Sequence, residues 1–192
     1  MFKHTMVVMA VLALAGVALY AAAELADSLE YKFDSKDSVE GWTANGDAKV
    51  EWKEGGAGES AGCMKIAGDH ASADGPMTSF KCDENVISFD YYVHGTSTCR
   101  VRFSVASAEN RTKYGRYGNL MIRKVEPDKW LHAEAKLIDL PGMAEENKAK
   151  AFAELEYNRF GFSSIEAVGD GGYILIDNVK MGKAGAAAAP AK

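Results

Sequence analysis

The sequence predicts an all-β protein: a two-sheet antiparallel β-sandwich of the jelly-roll type, with one short helix. Three observations carry that expectation. About nine strand-length runs follow one another with turn residues between them. Several of those runs alternate apolar and polar residues with period two. One stretch alone, 143–155, has the Ala, Glu and Lys content of a helix. Strands that succeed one another without intervening helices exclude a βαβ arrangement and favour two stacked sheets.

In chain order the strand-like runs are 49–53, 63–67, 77–82, 86–94, 99–107, 120–125, 130–137, 157–163 and 172–181. Each is bounded by turn chemistry: Asn45-Gly46, Gly55-Gly56, Asp74-Gly75-Pro76, Gly95-Thr96-Ser97, Pro127-Asp128 and the run from Gly169 to Gly172. Glycine supplies positive φ in such turns, proline presets its own φ, and Asn or Asp tolerates the left-handed region.

Alternation assigns faces. In 86–94, Ile87, Phe89, Tyr91 and Val93 point one way, while Ser88, Asp90, Tyr92 and His94 point the other. In 99–107, Cys99, Val101, Phe103 and Val105 oppose Arg100, Arg102 and Ser104. Leu131, Ala133, Ala135 and Leu137 oppose His132, Glu134 and Lys136, and Phe160 and Phe162 oppose Arg159, Gly161 and Ser163. One face then lies on the core and the other meets water. The short loop 95–98 predicts that 86–94 and 99–107 form an antiparallel hairpin with shared faces. If all four strands lie in one sheet, Asp90, Tyr92, Arg100, Arg102, Ser104, His132, Glu134 and Arg159 gather on one polar wall.

The ends read differently. Lys3 and His4 precede an uncharged run, 6–20, and Ala21-Ala22-Ala23 places small residues before Glu24. This is the pattern of a secretory signal peptide over 1–23. The apolar run falls short of the roughly 20 residues of a spanning helix. A secreted or periplasmic protein is expected, without a membrane span after cleavage. The globular part is then 24–181, and 182–192 is an Ala/Gly/Pro tail expected to be disordered. A net charge of −5 without a Lys/Arg cluster argues against nucleic acid as a partner. Cys63, Cys82 and Cys99 allow at most one disulfide, its pairing left open, and no C-x-x-C motif is present.

Several segments resemble a known family. Phe33-Asp34, followed by Val39-Glu40-Gly41-Trp42, is similar to the "F-E … G-W" opening of CenC-like carbohydrate-binding modules, which are galactose-binding-like jelly rolls. Gly62-Cys63-Met64-Lys65-Ile66 resembles the family's "G-S-x-x-L-x-I" strand. Lys129-Trp130, with the alternation that runs to Asp139-Leu140, resembles its "W-x-x-v-x-v-x-l-x-d-l" strand. The segment Tyr173 to Val179 resembles its closing "y-I-D-D-V". The pieces occur in the family's order. The resemblance implies sugar bound on a sheet face or at loop tips. It also implies a structural calcium, whose matching side chains here are Asp34 and Asp177.

The polar wall suits that expectation. Sugar hydroxyls take hydrogen bonds from carboxylates and guanidinium forks, and sugar C–H faces rest on aromatic rings. The expected ligand-binding residues are therefore Asp90, Tyr92, Arg100, Arg102, His132, Glu134 and Arg159, and the Arg-rich composition hints at an acidic sugar. An ordinary solvated sheet face with cross-strand charge pairs is the competing reading. Trp42 and Trp52 are read as packing, and Trp130 is left open between packing and platform. Tyr114 and Tyr117 mark a loop as a second place for a ligand. His70 and His94 have no spaced partner and make no metal site. The functional expectation is a non-catalytic protein whose partner is a polysaccharide or glycan. The alternatives are a structural interaction protein of an envelope or matrix and, less favoured, a small polysaccharide lyase.

Overall fold

The computed structural model describes residues 28–76, 80–81, 85–95, 100–106, 119–123, 125–140, 156–157, 159–164, 166 and 168–183. Its strands are β1 (Ser28–Tyr31), β2 (Thr43–Ala44), β3 (Lys49–Glu54), β4 (Gly62–Ala67), β5 (Ser72–Asp74), β6 (Phe80–Lys81), β7 (Asn85–His94), β8 (Val101–Ala106), β9 (Asn119–Ile122), β10 (Leu131–Lys136), β11 (Glu156–Tyr157), β12 (Arg159–Ser164) and β13 (Tyr173–Lys183). The only helical turns among the described residues are 3-10 turns, Lys36–Val39 and Leu137–Asp139. The helix expected over 143–155 lies outside the described residues, as do the leader and the loop bearing Tyr114 and Tyr117. Of the expected tail, Gly182 and Lys183 instead continue β13 in register with β7, and 184–192 lie outside the described residues. No helix among the described residues is long and apolar enough to cross a membrane.

Two antiparallel sheets form the sandwich. The first runs β10-β7-β13-β4-β3. Its central strand, β13, pairs with β7 along one edge, and β4 and β1 share the other edge. The second runs β2-β5-β12-β8-β9, and β6 and β11 make a separate short ribbon. The expected fold class is what the chain adopts.

Alternation explains the layering. Ile87, Phe89, Tyr91 and Val93 of β7 are buried, as are Val101 and Phe103 of β8 and Phe160 and Phe162 of β12. Aromatic contacts bind one sheet to the other. Phe89 in the first sheet stands 4.9 Å edge-on to Phe162 and 6.0 Å from Phe103, both in the second. Trp42 caps this layer, 5.4 Å from Phe160 in a T-shaped contact, which agrees with its reading as a packing residue. Trp52 packs at the margin and donates its indole N–H to the Phe33 carbonyl at 2.8 Å. Cys63 is buried as a free thiol, its pKa pushed up to about 11 by burial. Cys82 and Cys99 lie outside the described residues.

One expectation fails. The strands 86–94 and 99–107 are not a hairpin, because β7 pairs with β10 and β13 while β8 pairs with β12 and β9 in the other sheet. The chain leaves β7 at Gly95 and crosses the sandwich. Gly95 has φ +131°, and a Cβ there would sit 1.9 Å from the Val168 carbonyl oxygen, so the crossing needs glycine. The physical reason for the error is plain. Two strands with apolar inner faces satisfy their alternation equally well side by side or face to face across a core. The polar wall is thereby divided between two outer faces that look away from each other.

Candidate functional site

The outer face of the first sheet receives Asp90, Tyr92, His132 and Glu134. Register aligns them in rows across the strands: His132 opposite Asp90, Asp90 opposite Asp177, and Tyr92 opposite Leu175. His94 lies opposite Tyr173. Trp130, one residue before β10, falls on the same face and brings its ring 5.6 Å from Tyr92. The His94 ring stacks on Tyr173 at 4.7 Å with a 26° interplanar angle. Lys65 of β4 lies 5.0 Å over the Tyr173 ring and 3.5 Å from Glu51 of β3. Four neighbouring strands thus contribute to a band of partly exposed rings that ends at a cation.

Hydrogen bonds fix the band. Tyr92 donates its hydroxyl to Asp128 Oδ1 at 3.0 Å, and His94 Nδ1 lies 2.6 Å from the same oxygen. The bond from His94, then that from Tyr92, holds the Asp128 carboxyl below its ordinary value. Burial first, and then the bond to Asp128, pushes the Tyr92 phenol up, so this hydroxyl is a neutral donor. One row away, His132 Nδ1 lies 2.8 Å from Asp90 Oδ1, and Asn178 donates its amide to Asp90 Oδ2 at 2.8 Å. Asn178 reaches Asp90 because β13 has a register shift between Asp177 and Lys180 and Asn178 takes φ +49°. The irregularity also turns Val179 and Met181 inward, where both are buried. Glu134 stays exposed, opposite Ser88.

Asp177 falls in the outward register of β13 yet is fully buried. The turn between β3 and β4 curls over it. Ala57 N–H donates to Oδ2 at 2.9 Å and Asn178 N–H to Oδ1 at 2.7 Å. Each oxygen thus accepts one backbone N–H, and these two bonds tie the carboxylate to the turn and to its own strand. Asp34 is exposed. No group of three His, Cys, Asp or Glu side chains among the described residues is placed to hold a metal. Asp34 is thus exposed while Asp177 is buried beneath the β3–β4 turn and held there by N–H donors.

The remaining expected ligand residues belong to the second sheet. Arg102 of β8 donates Nε–H to Ser163 Oγ at 3.0 Å. Arg100, just before β8, forms an ion pair with Glu166. Arg159 opens β12 opposite Ala106, and its side chain lies outside the described residues. Four of the seven expected residues thus share one face and three belong to the other sheet. Tyr173, Asp128 and Asn178 were not expected at a site, and Trp130 was left open between packing and platform. The alternation of Trp130 with His132 and Glu134 carries a signal for the tryptophan, and Tyr173-Leu175-Asp177 alternates likewise. The roles of Asp128 and Asn178 arise from left-handed backbone positions that no periodicity reveals.

No protein-family model matches the chain, and no curated protein matches it. Solved structures do. A xylan-binding domain of carbohydrate-binding-module family 22 aligns with TM-score 0.52 and 14% identity, covering 83% of this chain and 96% of that one. The C-terminal family 22 module of Clostridium thermocellum Xyn10B gives 0.52 and 14%, covering 84% and 95%. The family 11 module of Clostridium thermocellum, solved with a β-1,3-1,4-mixed-linked tetrasaccharide, gives 0.50 and 18%, covering 81% and 96%. An arabinose-bound α-L-arabinofuranosidase gives 0.51 and 10%, and there the match covers 79% of this chain but 25% of the enzyme. At these identities the likeness is one of fold. That fold is a β-sandwich shared by these modules and by part of the enzyme, and it does not single out the CenC-like group.

Proposed function

We propose that this protein is a secreted, non-catalytic carbohydrate-binding protein that takes a polysaccharide or glycan on the outer face of its first sheet. The observation that carries the reading is the partly exposed Tyr92–Trp130 pair, 5.6 Å apart, set beside the hydrogen-bonded carboxylates of Asp90 and Asp128. Rings of this kind offer an apolar surface for sugar C–H faces, and the Asp90 carboxylate accepts from hydroxyls. The names of similar solved modules, which bind xylan or a mixed-linked glucan oligosaccharide, support the ligand class. The export pattern of 1–23 supports secretion.

Dividing the wall changes the expected sugar. Arg100, Arg102 and Arg159 belong to the second sheet, so none of the three expected arginines stands beside the rings for a uronate. Asp90, Asp128 and Glu134 make the ring-bearing face a better match for a neutral glycan. A catalytic reading finds less support. Glycoside hydrolysis commonly needs one carboxyl to hold a proton for the leaving group, and Asp90 and Asp128 already accept bonds from two side chains each.

Two substitutions test the placement, with xylan and mixed-linkage β-1,3-1,4-glucan as probes. Tyr92→Ala is expected to weaken binding by about tenfold or more, as loss of an aromatic anchor does. It should cost no more than about 1.5 kcal/mol of stability, the upper worth of its hydrogen bond to Asp128 on a partly exposed face. Arg102→Ala should bind as the parent does. Loss of binding in Arg102→Ala, with Tyr92→Ala unaffected, would move the ligand to the second sheet. Release of reducing sugar from either probe would show the protein to be an enzyme.

A further inference from the structure

Asp128 is a conspicuous residue for an exposed turn. It occupies φ +58°, one of two non-glycine residues among those described with positive φ. Its side chain is 57% exposed, so burial does not explain why it adopts the left-handed region. Its backbone N–H donates to the Val93 carbonyl at 2.9 Å and fastens the turn to β7. Its carboxylate takes the Tyr92 hydroxyl and faces His94 Nδ1, both at one oxygen. Two residues later the same turn delivers Trp130 against Tyr92. His94 in turn carries the stack on Tyr173. The neighbouring charges of this turn, Glu126 and Lys129, pair with each other at 2.7 Å and leave Asp128 to the rings.

We infer that Asp128 is the positioning residue of the glycan platform, fixing the rings of Tyr92 and His94 and the turn that carries Trp130 before a ligand arrives. The inference rests on the glycan-binding reading and deepens it. Tyrosine and histidine rings on an open sheet face keep rotamer freedom unless tethered, and a ligand that must order them binds more weakly. Asp128 removes that cost in advance. It need not touch the sugar to do so.

The two demands on Asp128, its backbone and its carboxylate, separate by substitution. Asp128→Asn keeps an acceptor oxygen and a residue that tolerates the left-handed region. Asp128→Gly suits the backbone better still and removes the acceptor. Affinity for mixed-linkage β-1,3-1,4-glucan and for xylan is measured for the parent and both variants, together with aromatic-ring NMR signals of Tyr92, His94 and Trp130 in the free proteins. Asp128→Gly is expected to melt no lower than the parent, to show averaged ring signals, and to bind about tenfold more weakly. Asp128→Asn is expected to restore the ring signals and to bind within about threefold of the parent. Parental affinity in Asp128→Gly overturns the inference, whether or not its rings move, and so does failure of Asp128→Asn to restore what Asp128→Gly loses. Should the parent bind neither polysaccharide, the glycan reading falls. The ring signals of the free proteins then still report whether Asp128 orients the rings, and unchanged signals in Asp128→Gly dismiss the tether as well.

Discussion

Replacing Phe89 by alanine is expected to destabilise the protein by about 3–5 kcal/mol, the range for a large aromatic removed from a packed core. Phe89 is fully buried on the inner face of β7 and is the ring through which the first sheet meets Phe162 and Phe103 of the second. Its loss removes apolar burial and opens a cavity between two sheets that cannot slide together, because each is held by its own ladder. The midpoint of denaturant unfolding reads the effect, and an unchanged slope shows that the unfolded state is the same. Tyr92, three residues along the same strand and on the opposite face, is the internal control. A cost below about 1 kcal/mol for Phe89→Ala would mean that this strand faces the other way.

Asp177→Ala is the second large change, about 2–4 kcal/mol, from two part-buried backbone donors left without a partner at about 1–2 kcal/mol each, the lower part of the usual range because water still reaches them. The turn over Asp177 fits closely: a Cβ on Gly56 would lie 2.3 Å from Asp177 Oδ2 and 2.5 Å from the Gly62 carbonyl oxygen. The carboxylate therefore fastens the β3–β4 turn onto the sheet. Burial, the largest influence, raises its pKa above 3.8, against the opposing pull of the Ala57 and Asn178 N–H groups. In the unfolded chain the group ionises at the lower, ordinary value. Between the two values the folded state holds a proton that the unfolded state has lost, so this contribution to stability diminishes as pH rises through that window. Subtracting the pH profile of Asp177→Ala from that of the parent isolates the slope. A difference that rises with pH in that window would contradict the burial of this group.

Much of this was legible in the residues. Period-two alternation in β7, β8, β10 and β12 set their inner faces correctly, because a sandwich has one apolar side per strand and no other assignment buries Phe89, Phe103, Phe160 and Phe162 together. Which strands are neighbours was not legible. A connection as short as that after Gly95 serves a hairpin or a crossing, and the collision that makes Gly95 necessary involves Val168, far away in sequence. The same gap dispersed the site. Alternation turned Asp90, Tyr92, His132 and Glu134 outward, whereas Arg100 and Arg102 were joined to them through the mistaken hairpin and Arg159 through the assumption that all four strands share one sheet. Asp177 shows a further limit. Its register reads as outward, and only the turn from Gly55 to Ala61, folded over the sheet, makes it buried. Short elements such as β2 and β5 are too brief for any periodicity to declare them.

The central claim is that the ring-bearing face of the first sheet is where a glycan binds. Backbone amide NMR during titration with a β-1,3-1,4-mixed-linked tetrasaccharide tests it most directly. The account predicts shifts that saturate and concentrate at Asp90, Tyr92, His94, Trp130, His132 and Tyr173, with Arg102, Ser104 and Ser163 unmoved. Shifts confined to those residues of β8 and β12 would contradict it.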